Sequence, residues 1–480
     1  RSFASPLTRP ESPPHDVYNL SSSNPPASAA LTRMLIPLRY RRRITLISAV
    51  LGLFLIYHFI STRPDLPRPL STVRSNLQQQ LPTQQHQPKL KPDTLSDCPL
   101  LPGIEDVLVV MKTGVTEALD KVPVHFETTL RCIPNYVIFS DFEEEIAGVR
   151  IHDALSNMDP EVKRTVPDFD LYNRLQKLGR KGLGTQDFAD EANSAIGKPN
   201  NPGWKLDKWK FLPMVQEALR YKNDAKWYVF MEADTYFAWP TLLEWLSNYD
   251  PQKPLYIGTE TQIADVIFAH GGSGFIISRP ALQLAADEYA GRSVELDMFT
   301  DEHWAGDCVL GKVLLDAGVP LTYSWPILQN SNVGELDPFT TGFYRQPWCF
   351  PAVAFHHLSP RDIRNLWQFE QRRWKSHKRL LLHSDVFKEL TYPELSNVRD
   401  GWDNLSGEEH ASVDTFHECQ SICLNDSTCV QFALRAGSCF TGKTPRLGVE
   451  NTAVRSGWVM KRIERMVESA PSCPKPDFGL

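Results

Sequence analysis

A short apolar run at 227–231 (WYVFM) ends abruptly in two carboxylates, Glu232 and Asp234. A run this short and free of charge, closed by polar turn residues, reads as a strand buried on both faces. Such strands build parallel α/β sheets, where ligands collect at the carboxyl ends. Glu232 and Asp234 therefore stand where a hard divalent cation and a phosphate could meet. Carboxylate oxygens suit Mg²⁺ or Mn²⁺ and leave positions open for phosphate oxygens. A strand that ends in a solvated turn accounts for the same residues, because short acidic motifs are common.

The surrounding sequence has the same texture. Apolar runs at 107–111 and 136–139 suit buried parallel strands and end in Lys112-Thr113-Gly114 and Ser140-Asp141. The segment between them is long enough for a helix, so a βαβ start is expected. Residues 155–203 are polar and show no clear period. Apolar residues at helical spacing mark a helix over 208–221, with Pro213 as its start. The stretch 270–279 carries Gly271, Gly272 and Gly274, which let backbone approach a ligand closely or simply turn before a strand. Asp307 precedes an apolar helix at 308–315, as an N-cap or as a carboxylate aimed into a cleft. A last apolar run, 350–355, ends in His356 and His357. A histidine after a strand is usually structural, but beside a carboxylate metal site it is a credible further ligand.

The first hundred residues are different. Residues 44–60 (ITLISAVLGLFLIYHFI) carry no Asp, Glu, Lys or Arg. At 1.5 Å per residue they cover roughly 25 Å, near the short end of what spans a bilayer. Arg39, Arg41, Arg42 and Arg43 precede the run and Arg63 follows it. Positive-inside logic then predicts residues 1–43 as a cytosolic, disordered tail, Ser/Pro-rich over its first 33 residues, and everything after residue 60 as lumenal. No small-residue cleavage pattern follows, which favours an uncleaved single-span anchor over a signal peptide. Met34, just ahead of the basic cluster, is the expected start of synthesis. Residues 61–97, rich in Pro, Gln and Ser, cannot bury a core and read as a stem. The chain of 480 residues leaves room for two or three units, and its net charge of -6 gives no electrostatic reason to expect nucleic acid.

Taken in order, these pieces resemble the inverting glycosyltransferases of family 31, the group of Fringe and core 1 β1,3-galactosyltransferase. The resemblance covers 98–375 and is closest to the fungal branch, marked by 204–214 (WKLDKWKFLPM) and Glu232-Ala233-Asp234. It implies a GT-A fold over 98–395, a Rossmann-like nucleotide-diphospho-sugar transferase domain that binds a UDP-sugar and Mn²⁺ or Mg²⁺. On this resemblance Asp234 and His356 are the metal ligands, with His357 a weaker choice. Glu232 and Ala233 complete the triplet that faces the nucleotide sugar, although Ala233 has no carboxylate. Gly271, Gly272 and Gly274 match the glycine segment of the sugar pocket. Asp307 matches the catalytic base, with Gly306 where relatives carry another acid; Asp301 and Glu302 are rival bases. Asp141 matches an acid near the nucleotide, and Lys112 and Thr113 stand where base and ribose would lie. Lys208 or Lys210 would contact the diphosphate, and a solvated helix face suits each equally.

The implied reaction is metal-assisted transfer of a hexose, galactose or an N-acetylhexosamine, onto a glycan or glycoprotein, forming a β1,3 linkage. The layout implies a type II protein of the Golgi membrane with a lumenal catalytic domain, and a homodimer is left open. A decayed, non-catalytic lumenal protein that binds carbohydrate or protein is the alternative. Ala233 and Gly306 keep it in play.

Past residue 400 the texture changes again. Cys419 and Cys423, four apart, share one helical face, and Cys429 and Cys439 follow. Zinc ligation and disulfides both fit the spacing, and an oxidising lumen favours disulfides. Residues 400–465 resemble a PAN/apple module, a small disulfide-bonded α+β fold, before a tail at 466–480. That resemblance pairs Cys419 with Cys439 and Cys423 with Cys429, and the family 31 resemblance pairs Cys98 with Cys132. Cys308, Cys349 and Cys473 are left, with one pair among them open. Asn404-Leu405-Ser406 and Asn425-Asp426-Ser427 have the form of glycosylation acceptors.

Overall fold

The computed structural model describes residues 98–188, 198, 200–377 and 379–479, all within one compact unit, His86–Leu480. In chain order its first twelve strands are β1 (Val107–Lys112), β2 (Tyr136–Ser140), β3 (Glu144–Ile146), β4 (Val149–Asp153), β5 (Trp227–Glu232), β6 (Tyr236–Phe237), β7 (Tyr256–Gly258), β8 (Glu260–Ile263), β9 (Val266–Ala269), β10 (Phe275–Ser278), β11 (Leu321–Tyr323) and β12 (Ala354–Phe355). Eight of them form one sheet in the order β11-β7-β10-β5-β1-β2-β4-β3. β5, β1, β2 and β4 run parallel at its centre, and β10 is antiparallel to β5.

The burial pattern explains why these strands lie in the middle. Val107 to Met111 are wholly buried along β1. Leu108 and Val110 point to one core, and Val107, Val109 and Met111 to the other. β5 divides the same way, with Tyr228 and Phe230 against Trp227, Val229 and Met231. A period of two with both faces apolar is what a strand covered on both sides requires. Helices Pro202–Tyr221, Arg279–Gly291 and Gly306–Asp316 cover the first face, and Trp239–Leu246 the second.

The helix expected from Pro213 begins eleven residues earlier, at Pro202. Asn201 caps it, its Oδ1 accepting from the Trp204 N–H at 2.9 Å. Pro202 occupies the first turn, where its missing N–H is no loss. Pro213 lies inside the helix, and its buried neighbours Leu212 and Met214 hold the turn in place. The polar stretch after 155 contains two further helices, Pro160–Thr165 and Asp170–Leu178.

The expected membrane-anchored architecture is corrected here. Among the described residues no helix is long and apolar enough to cross a membrane. The longest, Pro202–Tyr221, carries Lys205, Asp207, Lys208, Lys210, Glu217 and Arg220; Pro360–His377 is richer still in charge. Such helices are amphipathic cover for a protein core, not lipid-facing spans. The run at 44–60, the tail before it and the stem after it lie outside the described residues.

The C-terminal segment forms a second sheet from β13 (Val398–Asp403), β14 (Glu408–His410), β15 (Gln431–Arg435), β16 (Ser438–Gly442) and β17 (Val449–Trp458), with the helix Phe416–Asn425 packed on it. Cys419–Cys439 and Cys423–Cys429 are disulfides, as are Cys98–Cys132 and Cys349–Cys473. Cys308 is a buried free thiol. Of the two glycosylation-type asparagines, Asn425 is exposed but Asn404 is wholly buried. Asn404 Nδ2 donates to the carbonyls of Phe432 and Gly457 at 3.1 and 3.2 Å, and Gln431 donates to the Asn404 carbonyl at 2.8 Å. Asn404 is a buried strut of the sheet, with no room for a glycan.

Candidate active site

The central strands deliver their ends to one place. Lys112 ends β1 opposite Glu232 at the end of β5, and the turn Ala233-Asp234-Thr235 follows. Phe355 of β12 pairs with Tyr236 of β6, so the next residues, His356 and His357, fold back over that turn. The Leu358 N–H locks it by donating to the Asp234 carbonyl at 3.0 Å. On the other side of β5, the glycine loop before β10 is tied in when Thr235 Oγ1 donates to the Gly272 carbonyl at 2.7 Å.

These elements wall a cleft of about 1200 Å³. Of the residues singled out in the sequence, Lys208, Glu232, Asp234, Gly272, Asp307 and His356 line it, as do Lys210 and His357. Lys112, Thr113, Asp141, Ala233, Gly271 and Gly274 stand behind the lining. Asp141 is wholly buried, accepts from the Val115 N–H at 2.8 Å and pairs with Lys210 at 3.1 Å. Lys210 also donates to the Thr113 carbonyl at 2.8 Å, so the three form a floor under the cleft. Lys208 is engaged by Asp168 at 2.9 Å and by the Asp301 carbonyl at 3.0 Å. Ala233 is buried, its carbonyl accepting from His125 Nε2 at 2.8 Å. Gly274, at φ 75°, turns the loop where a Cβ would meet the Phe237 ring at 2.5 Å.

Charge is concentrated at the strand ends. His356 Nε2 lies 3.3 Å from Asp234 Oδ1 and 3.8 Å from Glu232 Oε2. Burial alone would lower His356, but the two acids carry it up to about 9. Against burial, His356 pulls Asp234 down to about 2; Glu232 opposes this and Lys121, 3.1 Å away, adds to it. Lys112 and His356 likewise overcome burial to hold Glu232 well below the usual carboxylate range. Lys112 is 3.0 Å from Glu232 and also pairs with Asp207.

Three features of this corner fit a divalent cation. Asp234 Oδ1 is buried and, apart from the His356 ring 3.3 Å away, makes no well-aligned hydrogen bond. Asp234, His356 and His357 each offer a ligand atom within 4.8 Å of the others, the one such group among the described residues. Gly272 leaves the space they need, since a Cβ there would fall 2.0 Å from His356 Cε1. His356 Nδ1 meets Asn330 Oδ1 at 3.3 Å, which fixes the ring and turns Nε2 toward the acids. Carboxylate with imidazole is a donor set for Mn²⁺ and its neighbours.

Asp307 occupies a different environment. It lies in the first turn of Gly306–Asp316, which is pressed onto the helix Pro202–Tyr221 because residue 306 has no side chain; a Cβ would meet the Lys208 carbonyl at 2.5 Å. Its Oδ2 accepts from the Gly271 N–H at 2.8 Å and its Oδ1 from the Cys308 N–H at 2.9 Å. Burial outweighs these bonds and pushes Asp307 up to about 6. A Cβ on Gly271 would lie 3.3 Å from both Asp307 Oδ2 and Glu232 Oε1, so the two acids face each other across that glycine. Trp304 and Trp204 stack with ring centroids 6.1 Å apart, and both line the same cleft as Asp307. The sequence offered no signal for Lys121, His125 or Trp304, because each is brought in by tertiary contact; Trp204 and Asp207 lay in the marked segment 204–214 but carried no assigned role there.

Residues 206–338 match the Fringe-like family. The Fringe-like segment contains Glu232, Asp234, the glycine loop and Asp307, and stops before His356 and the C-terminal sheet. The chain is also similar to glycoprotein-N-acetylgalactosamine 3-beta-galactosyltransferase 1 of Xenopus laevis, at 24% identity over 201 residues. That alignment covers 38% of this chain and 56% of the relative, so the chain spans little more than half of the relative's length. Both matches support a glycosyltransferase of family 31 type.

Proposed function

We propose that this chain is an inverting transferase that moves a hexose from a UDP-sugar to a hydroxyl of a glycan or glycoprotein. One observation carries the reading: the same cleft holds the Asp234, His356 and His357 cluster, with Asp234 pulled down to about 2, and, across Gly271, the carboxyl of Asp307, fixed by two backbone N–H groups and pushed up to about 6. An acid of the first kind stays ionised and holds a cation; one of the second kind takes a proton near neutral pH.

Asp307 is the base. The Gly271 and Cys308 N–H groups fix its carboxylate, and its remaining lone pairs accept the acceptor's hydroxyl proton. The acceptor oxygen bonds the anomeric carbon as the bond from that carbon to UDP breaks on the far side. An α-linked donor then gives a β-linked product. Asp234 and His356, with His357 beside them, would hold Mn²⁺ or Mg²⁺. When bound, such an ion neutralises the charge that gathers on the departing diphosphate. Lys121 adds positive charge on the same side. Trp204 and Trp304 offer the acceptor apolar ring surface beside the base.

The galactosyltransferase likeness favours galactose and a β1,3 linkage, with an N-acetylhexosamine as the other donor to be tested. Four disulfides favour an oxidising lumen of the Golgi kind. The helix and paired disulfides of the C-terminal sheet favour a PAN/apple-like module.

The test is UDP binding and UDP release from UDP-galactose and UDP-N-acetylglucosamine, each with Mn²⁺. Release should need Mn²⁺ and stop with a chelator, and Asp234→Ala, which removes a ligand outright, should weaken Mn²⁺-dependent UDP binding by more than the about 10–100-fold typical of a ligand's outer partners. Undiminished Mn²⁺-dependent binding by that variant would remove Asp234 from the site.

A further inference from the structure

The segment between β16 and β17 of the C-terminal module bonds the loop 330–340, and that loop in turn bonds His356. At one end of this loop the Ser331 carbonyl accepts from the His356 N–H at 3.3 Å, and Asn330 Oδ1 meets His356 Nδ1 at the same distance. Three residues past Ser331, the Gly334 carbonyl accepts from the Gly448 N–H at 2.7 Å. Asp337 Oδ2 then accepts from Thr444 Oγ1 at 2.6 Å and from Arg446 at 3.4 Å. Gly334, Asp337 and Asn330 belong to the catalytic layer, whereas Gly448, Thr444 and Arg446 belong to the C-terminal module.

The module's side of this contact is stiff. Trp402 Nε1 donates to the Leu447 carbonyl at 2.6 Å, and Trp458 Nε1 to the Arg446 carbonyl at 2.9 Å. The Arg446 N–H donates to Gln431 Oε1 at 2.8 Å. Gly448 sits at φ 85° with no room for a side chain, since a Cβ would fall 1.9 Å from the Asp403 carbonyl. On the loop itself, Leu336 packs in one core with Phe355, the residue before His356. The loop is thus gripped on one side by the module and on the other bonds the imidazole.

We propose that the C-terminal module is a positioning element for His356, acting through Thr444, Arg446 and Gly448 on the loop 330–340. The proposal rests on the reading of Asp234 and His356 as metal ligands. Partners one shell out from a metal ligand typically tune affinity 10–100-fold. The module acts one contact further away, so a smaller effect is expected.

The test uses the full chain and Mn²⁺ alone, with free ion counted by electron paramagnetic resonance. Thr444→Val, and Thr444→Val with Arg446→Met, should raise the Kd for Mn²⁺ about three- to tenfold, below that 10–100-fold range. Turnover at saturating Mn²⁺ should stay near wild type. Thr444→Ser, which keeps the hydroxyl, should restore the wild-type Kd. Arg455→Met, which breaks an ion pair to Asp400 elsewhere in the module, should leave it unchanged. Equal Kd values in wild type and both Val variants would overturn this proposal alone. A wild-type chain that binds no Mn²⁺ would end it together with the metal reading.

Discussion

At residue 272 a single methyl group would collide with the His356 ring, and at residue 306 one would collide with the Lys208 backbone. Each glycine is the absence of a side chain that lets a functional group sit where it does. Asp307 shows the complementary case, a carboxyl whose proton affinity is set by what surrounds it. Burial raises it to about 6 although two backbone N–H groups favour its ionised form. A base works only when deprotonated, so the rate should climb with pH through about 6 and level off above it. A pH profile of kcat/KM with saturating Mn²⁺ checks this. A flat profile between pH 5 and 7 would mean that Asp307 does not titrate in the rate-limiting step.

At the scale of elements, the pairing of β6 with β12 brings two sequence segments more than a hundred residues apart into one site. Its outer face is held by Tyr236, whose hydroxyl donates to Glu370 on the helix Pro360–His377. Burial pushes Glu370 up to about 7 despite that bond. An acid whose folded pKa is raised contributes stability below its unfolded value, near 4.5, and loses it as pH rises through the folded one. Melting temperature should therefore fall from pH 4.5 to 7 more steeply in wild type than in Glu370→Gln. The difference corresponds to on the order of 3 kcal/mol. Parallel slopes would show that Glu370 is ionised in the fold throughout this range. The apolar runs behind β1, β2, β5 and β10 were legible because a strand covered on both faces writes its burial into consecutive residues. The glycine loop and Asp307 were legible as motifs, and their expected roles came from the family 31 resemblance, since spacing alone also allowed a plain turn and an N-cap. Pro213 misled because a proline in a helix interior looks locally like a start, while the stronger signal, Asn201 followed by Pro202, lay in a polar stretch. Lys121, His125 and the burial of Asn404 had no local trace, since each depends on a partner far along the chain.

Across the whole molecule, the catalytic layer and the C-terminal sheet share a core in which Trp348 and Phe387 meet Trp458 and Ile463, and Cys349–Cys473 joins the chain there. The module is therefore part of the body that carries the cleft. Cys308, the thiol left over, is buried and held up at about 12 by burial and by Asp307, so it stays protonated and inert. In the proposed reaction one cleft divides the labour, with cation binding at Asp234 and His356 and proton removal at Asp307. The most direct measurement is calorimetric binding of UDP with Mn²⁺ to Asp307→Asn, set beside its transfer rate from the UDP-sugar that wild type uses. UDP binding should stay within about twofold of wild type, while transfer falls about 10²–10⁴-fold. Transfer at the wild-type rate in that variant would contradict the account.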